Sequence, residues 1–365
     1  MVSGTGIGFR PRLAGALLRR PERVDFIEVV AESCRDLEVR REVVALSRIW
    51  PVVLHGVSLS PGSAEGVDLE RVGWFAELAR ELDARLVSEH MAFVRAGGRE
   101  IGHLTELPRT RAAVAVLARN VATLRRRLPD VPLLLENAAR AFVWPGHEMG
   151  EAAFLHEVTR ATGCPLLLDV ANLHANAVNG DVTALDDLPL ERVGLVHVAG
   201  GTRSDADAFW FDTHAHAVPE AVFAMAAEVL RRTRAPVLLE RDAALDDPEA
   251  VLEEVDRLRA LGAGALSVTN RQPTIGETGP RADDTALRAS QAEMARALLG
   301  NEQAPRLAQA RKILERKRGT HERTVRCVAV EHGTRPGLLG RLRLALRGRN
   351  ARGEAPHPSR EGGGL

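Results

Sequence analysis

Six residues able to do chemistry sit at equivalent places along this 365-residue chain: His55, His90, Glu136, Asp169, His197 and Glu240 each end a short apolar run. Pro165-Leu-Leu-Leu-Asp169 is the plainest case, and Pro51-Val-Val-Leu-His55, Val131-Pro-Leu-Leu-Leu-Glu136 and Ala235-Pro-Val-Leu-Leu-Glu240 repeat it. A charged group closing a buried strand is costly unless it is paired, protonated or bound to a metal. Asn172, three residues past Asp169, and Asp212 with His214, in the segment after His197, bring the candidates to nine. Imidazoles, carboxylates and one amide, with no thiolate, suit iron, manganese or zinc. A metal ion usually takes three or four protein ligands, so nine candidates imply two or three ions, with a carboxylate such as Glu136 free to bridge. Without metal, the clustered carboxylates would repel and stay partly protonated.

Taken singly, a strand-end histidine is ordinarily just hydrogen-bonded and a strand-end Asp is ordinarily a helix cap; recurrence on six of eight strands is what points to metals. His103, His147 and His156 read as surface or loop histidines, while His174 and His216 fall between bowl lining and ligand. Gly200-Gly201 lets the backbone turn, or could take a substrate backbone or phosphate. Arg241 reads as a rim salt bridge or as an anion contact at the bowl edge.

Those residues need a frame. Strands are expected at Gly6–Phe9, Val24–Val30, Pro51–Gly56, Arg85–His90, Val131–Asn137, Pro165–Asp169, Arg192–His197 and Ala235–Arg241. Apolar runs of this kind suit parallel strands covered by helices. Helices are expected through Arg40–Arg48, from the Asp68 cap to about Leu82, over Thr110–Leu128, over Ala152–Thr162 stopped by Gly163, over Val218–Arg232 and over Pro248–Leu261. Residues 94–108, with Gly97-Gly98 and Pro108, read as a long loop. Eight strands, most separated by helices, make a single α/β (β/α)8 TIM barrel, whose strand ends all emerge on one catalytic face. An open doubly wound sheet is the rival, but no G-x-G-x-x-G turn follows the first strand.

With 45% apolar residues, the chain can bury a full core. Its formal charge is zero but uneven: residues 301–365 hold 15 Lys/Arg against 6 Asp/Glu, and the first 300 hold 34 against 43. The expected organisation is a barrel domain over residues 1–300 and a basic extension over 301–365, largely disordered past a short basic helix at Arg341–Arg347. That tail would bind an acidic leader peptide or a partner, or simply be solvated. Cys34, Cys164 and Cys327 are too few and too scattered for a disulfide framework or a thiolate zinc site. No charged-then-apolar leader precedes Gly6 and no run approaches the roughly 18 residues of a membrane span, so a cytoplasmic setting is expected.

The motifs Gly6-Ile-Gly-Phe9, Phe26-Ile-Glu28-Val with Glu32, His55-Gly-Val-Ser-Leu-Ser60, Ser88-Glu-His90-Met, Glu136-Asn137, Leu168-Asp169-Val-Ala-Asn172, Val196-His197-Val-Ala-Gly200, Asp212-Thr-His214 and Leu239-Glu240-Arg241, in that order, resemble the multinuclear non-heme iron-dependent oxidative enzymes. That family includes the catalytic subunit of methanobactin biosynthesis. The resemblance spans roughly residues 5–275. It implies a xylose-isomerase-like TIM barrel holding two or three irons in mixed ferrous and ferric states. It further implies that dioxygen is used to modify cysteine, or another side chain, in a ribosomally made precursor peptide. A partner protein that recognises the peptide leader is often required. The ligands implied by matching motif are His55, His90, Glu136, Asp169, Asn172, His197, Asp212, His214 and Glu240. Endonuclease IV, a three-zinc DNA-cutting enzyme, is a related alternative, but it carries histidine where this chain has Asn172. Asparagine oxygen is harder than imidazole nitrogen, and the acidic body suits neither DNA nor other nucleic acid. A non-enzymatic metal-binding subunit is the third reading. Sugar isomerases of the superfamily use a lysine near the metals, and the first 300 residues contain none.

Overall fold

The computed structural model describes residues 2–141, 143–144, 146–203, 209–262 and 284–299. Eight parallel strands close into a barrel: β1 (Thr5–Gly8), β2 (Phe26–Val30), β3 (Val52–Gly56), β4 (Leu86–His90), β5 (Leu133–Glu136), β6 (Leu166–Asp169), β7 (Val193–Ala199) and β8 (Val237–Glu240). Each pairs with its neighbours in chain order, and β8 closes on β1. The helices are α1 (Ala14–Arg19), α2 (Leu37–Leu46), α3 (Leu69–Glu81), α4 (Arg111–Arg125), α5 (Glu151–Thr162), α6 (Val170–Val178), α7 (Glu220–Thr233), α8 (Pro248–Gly262) and α9 (Thr285–Leu299). Their ends follow local chemistry. Asp68 caps α3 by accepting from the Glu70 and Arg71 amides, Thr110 caps α4 through Ala113, and Gly163 ends α5 in the left-handed conformation.

The strand alternation builds the interior in layers. Phe26, Val53, Leu86, Leu134, Leu167, Leu195 and Leu238, one from each of seven strands, form an apolar floor sealed from below by Val2. The eighth strand contributes Gly6, where a Cβ would lie 2.3 Å from the Phe26 ring; glycine is what lets that ring fill the barrel. Residues of opposite parity, such as Ile7, Ile27, Leu54, Val87, Leu135, Leu168, Val196 and Leu239, pack outward in the core that includes the helices. Both faces are therefore buried, which is why the strands read as continuous apolar runs.

Residues 94–108 correct the sequence reading. They belong mostly to a hairpin, Ala92–Ala96 paired antiparallel with Arg99–Glu106. Gly97 and Gly98, both at positive φ, are its two-residue turn, so the glycines that suggested a loop are what fold the strands together. Helix α6 was also not anticipated, because it starts directly after Asp169 with no loop between. Helix α9 packs against the hairpin and its Gln291 side chain bonds the Ala64 amide and the Gly62 carbonyl, both at 2.8 Å. The basic extension 301–365, its expected helix and Cys327 lie outside the described residues. No helix among the described residues is long and apolar enough to cross a membrane.

Leu167→Ala removes one complete floor residue and should lower stability by about 2–5 kcal/mol, read from urea unfolding. A loss below about 1 kcal/mol would mean that this layer is not tightly packed.

Candidate metal centre

Two residues beyond the apolar floor, each strand presents its next inward position: Gly8, Glu28, His55, Ser88, Glu136, Asp169, His197 and Glu240. All eight are buried, with Asp169 and His197 at 0% exposure. His90 follows Ser88 one step higher on β4. The same alternation that seals the barrel thus concentrates imidazoles and carboxylates in one layer above it.

Within the layer the donors converge. The Nε2 atoms of His55 and His90 lie 3.5 and 3.4 Å from Glu136 Oε2. His197 Nδ1 lies 3.6 Å from Glu136 Oε1 and 3.3 Å from Glu240 Oε2. His55, His90 and Glu136 each offer an atom within 4.8 Å of the others', and so do Glu136, Asp169, His197 and Glu240. Glu136 belongs to both groups, as a carboxylate between two metal positions would.

The ring orientations are set from behind. His55 Nδ1 sits 2.9 Å from Ser88 Oγ, leaving Nε2 for Glu136. His197 Nε2 sits 2.9 Å from Glu28 Oε2, leaving Nδ1 toward Glu136 and Glu240. Carboxylate and hydroxyl partners of this kind fix the tautomer of ligating histidines and raise their basicity.

Asp169 has two tasks. Its Oδ1 caps α6, accepting from the Ala171 and Asn172 amides at 2.6 and 2.9 Å. Its Oδ2, the buried donor left over, has no hydrogen-bond partner among the described residues. The cap also brings Asn172 one turn along the helix. The Asn172 amide donates to the Asn137 carbonyl at 3.0 Å, and its Oδ1 likewise has no hydrogen-bond partner among the described residues. The Asn137 side chain in turn bonds the backbone of Asp169 in both directions, at 2.8 and 3.0 Å.

Asp212 and His214 arrive from the segment after β7. His214 Nε2 is 2.7 Å from Asp212 Oδ1 and its Nδ1 is 3.4 Å from Glu240 Oε2. His214 holds φ at 50°, a left-handed conformation that costs a non-glycine residue about 1–2 kcal/mol.

The electrostatics follow from crowding. Burial disfavours the His90 imidazolium, yet Glu136 and Glu89 outweigh it and hold the pKa at about 9. Burial raises the Asp169 carboxyl, and Glu136 and Asp212 raise it further, to about 8. Burial opposes charging of His197 and His214 as well, but the carboxylates beside them keep both well above the usual imidazole range. Against the penalty of burial, His214 and His197 hold Glu240 well below the ordinary carboxylate range. Glu136 Oε2, Asp169 Oδ2, Asn172 Oδ1 and His197 Nδ1 are buried without hydrogen-bond partners among the described residues. Buried polar atoms ordinarily have partners, and a nitrogen-and-oxygen set of this kind fits a hard or borderline metal ion.

All nine residues singled out from sequence reach this bowl or its rim; of the histidines and carboxylates among them, Asp212 and His214 lie outside the two tight groups. His174 stacks edge-on against Trp210, with ring centroids 5.0 Å apart, and His216 is exposed. His147 accepts from the Arg109 amide, and His156 meets the Asp187 carbonyl. Arg241 pairs with Glu254 as a rim salt bridge. Glu28 and Ser88 were overlooked as parts of the site. Their signal was parity: each stands two residues past a floor residue on its own strand.

Residues 4–263 match the family described as RiPP precursor modification enzyme MbnB/TglH/ChrH. A UPF0276 protein of Streptomyces avermitilis is 45% identical over 268 residues, covering 70% of this chain and 54% of its own length. The chain therefore spans about half of that relative. A UPF0276 protein of Caulobacter vibrioides is 35% identical, with 70% of this chain and 93% of that protein covered. Among solved structures, a xylose isomerase domain containing protein from Salmonella typhimurium has a TM-score of 0.48 at 13% identity, covering 72% of this chain and 97% of its own. Endonuclease IV from Thermus thermophilus has a TM-score of 0.45 at 20% identity, covering 72% and 100%.

Metal ligands bind deprotonated, and His90 and Asp169 hold their protons to about pH 9 and 8. Below those values, protons compete with metal. Apparent affinity should therefore climb from pH 6 to about 9 with proton release on binding, measurable by calorimetry in buffers of different ionisation enthalpy. A flat profile over that range would contradict this placement of the donors.

Proposed function

The chain belongs to the RiPP precursor modification enzyme MbnB/TglH/ChrH family, and from that membership we propose that it uses two or three bound irons and dioxygen to modify cysteine, or another side chain, in a ribosomally made precursor peptide. The observation that carries the metal part is the double membership of Glu136, which joins the His55–His90 group to the Asp169–His197–Glu240 group. His55, His90, Glu136, Asp169, Asn172, His197, Asp212, His214 and Glu240 would hold the ions. Bound iron would supply the redox chemistry with dioxygen and stabilise a substrate thiolate.

The chain's own residues do the rest. The apolar floor closes the layer from below, so water and substrate can meet it only from the strand ends. Glu28 and Ser88 keep the His197 and His55 rings turned toward Glu136. Burial grades outward: the side chains of Asp169, His197 and Glu136 are at most 2% exposed, while those of His90, Asp212 and His214 reach 11–17%. The partly open edge carrying His90, Asp212 and His214 is where a peptide side chain would enter. Asn172 favours iron over zinc, because it offers a neutral amide oxygen in place of imidazole. A partner that recognises the leader peptide completes the proposal.

The test is anaerobic purification followed by metal analysis and Mössbauer spectroscopy, then incubation with a cysteine-bearing precursor peptide. Two or three irons per chain and dioxygen-dependent modification are expected. His90→Ala should lower activity at least ~100-fold, in line with the loss of a group that acts on the reacting centre. Zinc-supported hydrolysis without dioxygen would overturn the reading, and so would a chain that holds no iron.

A further inference from the structure

Asp212 and His214 differ from the other candidate donors in that no barrel strand carries them. Their segment, Phe209–Ala217, must be brought back over the mouth and held there, with His214 in a left-handed backbone conformation. The means of holding it lie in residues that are not themselves donors.

Three places hold the segment, and an ion pair supports one of them. At the end of β7, a Cβ on Gly200 would lie 2.1 Å from the His216 carbonyl oxygen and 2.4 Å from that of Ala217. Gly200 does not have positive φ, so space rather than backbone freedom demands glycine there. Just past β8, the Asp242 amide donates to the His214 carbonyl at 2.7 Å, pinning the left-handed residue. The Asp242 side chain is gripped by Arg10, from the end of β1, whose Nε is 3.0 Å from Oδ1. On the far side, the Asn179 amide brackets the Trp210 backbone, accepting from its N–H at 2.8 Å and donating to its carbonyl at 3.0 Å. Gly200 has no side chain to ligate with, and the Asn179 side-chain amide is spent on the Trp210 backbone.

We propose that Gly200, Asn179 and the Arg10–Asp242 pair form a clamp that positions Asp212 and His214 beside Glu240, and so complete the metal position on that side of the bowl. The inference rests on the reading of Asp212 and His214 as ligands. The clamp also links the segments that follow β1 and β8, the first and last strands of the barrel, which are already joined by their own backbone pairing. A Cβ on Gly201 would likewise lie 2.6 Å from the Phe211 carbonyl oxygen, so the glycine pair is accounted for by the backbone it accommodates.

The test compares wild type with Gly200→Ala, Arg10→Met and His214→Ala in the full chain. Metal per chain is measured after anaerobic loading with ferrous iron, and hydrogen exchange of residues 209–217 is measured without metal. Gly200→Ala should reproduce the loss of about one metal equivalent expected for His214→Ala, because it withdraws Asp212 and His214 together from a position that takes about three or four protein ligands. Exchange across 209–217 should quicken while the barrel strands stay protected. Arg10→Met, a surface-rim change that spares the floor, should show the same pattern more weakly, and Arg10→Lys should restore it in part. Unchanged exchange and wild-type metal content in Gly200→Ala and Arg10→Met would overturn the clamp. Faster exchange in Gly200→Ala and Arg10→Met than in wild type, with no metal taken up by any of the chains, would uphold the clamp and reject the metal reading instead.

Discussion

Like charge cannot be buried uncompensated, and this barrel buries Glu28, Glu136, Asp169 and Glu240 in a single layer. Two anions about 4 Å apart repel by about 4 kcal/mol at an effective dielectric of 20. Net stability is only about 5–15 kcal/mol for a typical domain, so a few such pairs would cancel it. The layer answers with His197 and, at its edge, His90 and His214, whose imidazoles the neighbouring carboxylates hold above the usual range. Asp169 keeps a proton to about pH 8. Even so, donor atoms of Glu136, Asp169, Asn172 and His197 remain without hydrogen bonds among the described residues. A multivalent cation would relieve both deficits together, which is why the geometry favours a metal at this layer.

The barrel separates stability from chemistry by a displacement of two residues. Floor residues Phe26, Val53, Leu86, Leu134, Leu167, Leu195 and Leu238 are uniformly apolar, and their successors two places on are almost uniformly polar. Such a sharp boundary lets the lower barrel offset the cost of the upper one. Asp169 straddles the boundary in another sense, since one carboxylate oxygen starts α6 while the other faces the donors.

Much of this is legible in the sequence. Placement of His55, His90, Glu136, Asp169, His197 and Glu240 near the upper ends of their strands needed only the alternation of buried runs and the parallel sheet they imply, although β7 runs two residues past His197. Glu28 and Ser88 escaped because neither ends a run; each lies inside a strand, and only the register of the closed barrel reveals that they face inward. The hairpin of residues 92–106 escaped for a local reason: paired glycines serve equally as loop filler and as a tight turn. Helix α6 was hidden by the absence of any loop before it. The convergence of Asp212 and His214 depends on a long return segment, whose path no periodicity records.

Helix α9 carries a consequence of its own. The region matching the family stops at residue 263, yet Gln291 supplies the bonds of Ala64 and Gly62, and its side chain is almost wholly enclosed. A shortened chain drawn to the family boundary would strip two sheltered main-chain groups of their partners and uncover one face of the 92–106 hairpin. A chain that keeps these groups satisfied must therefore run through α9, held by a glutamine well past the strand-end motifs.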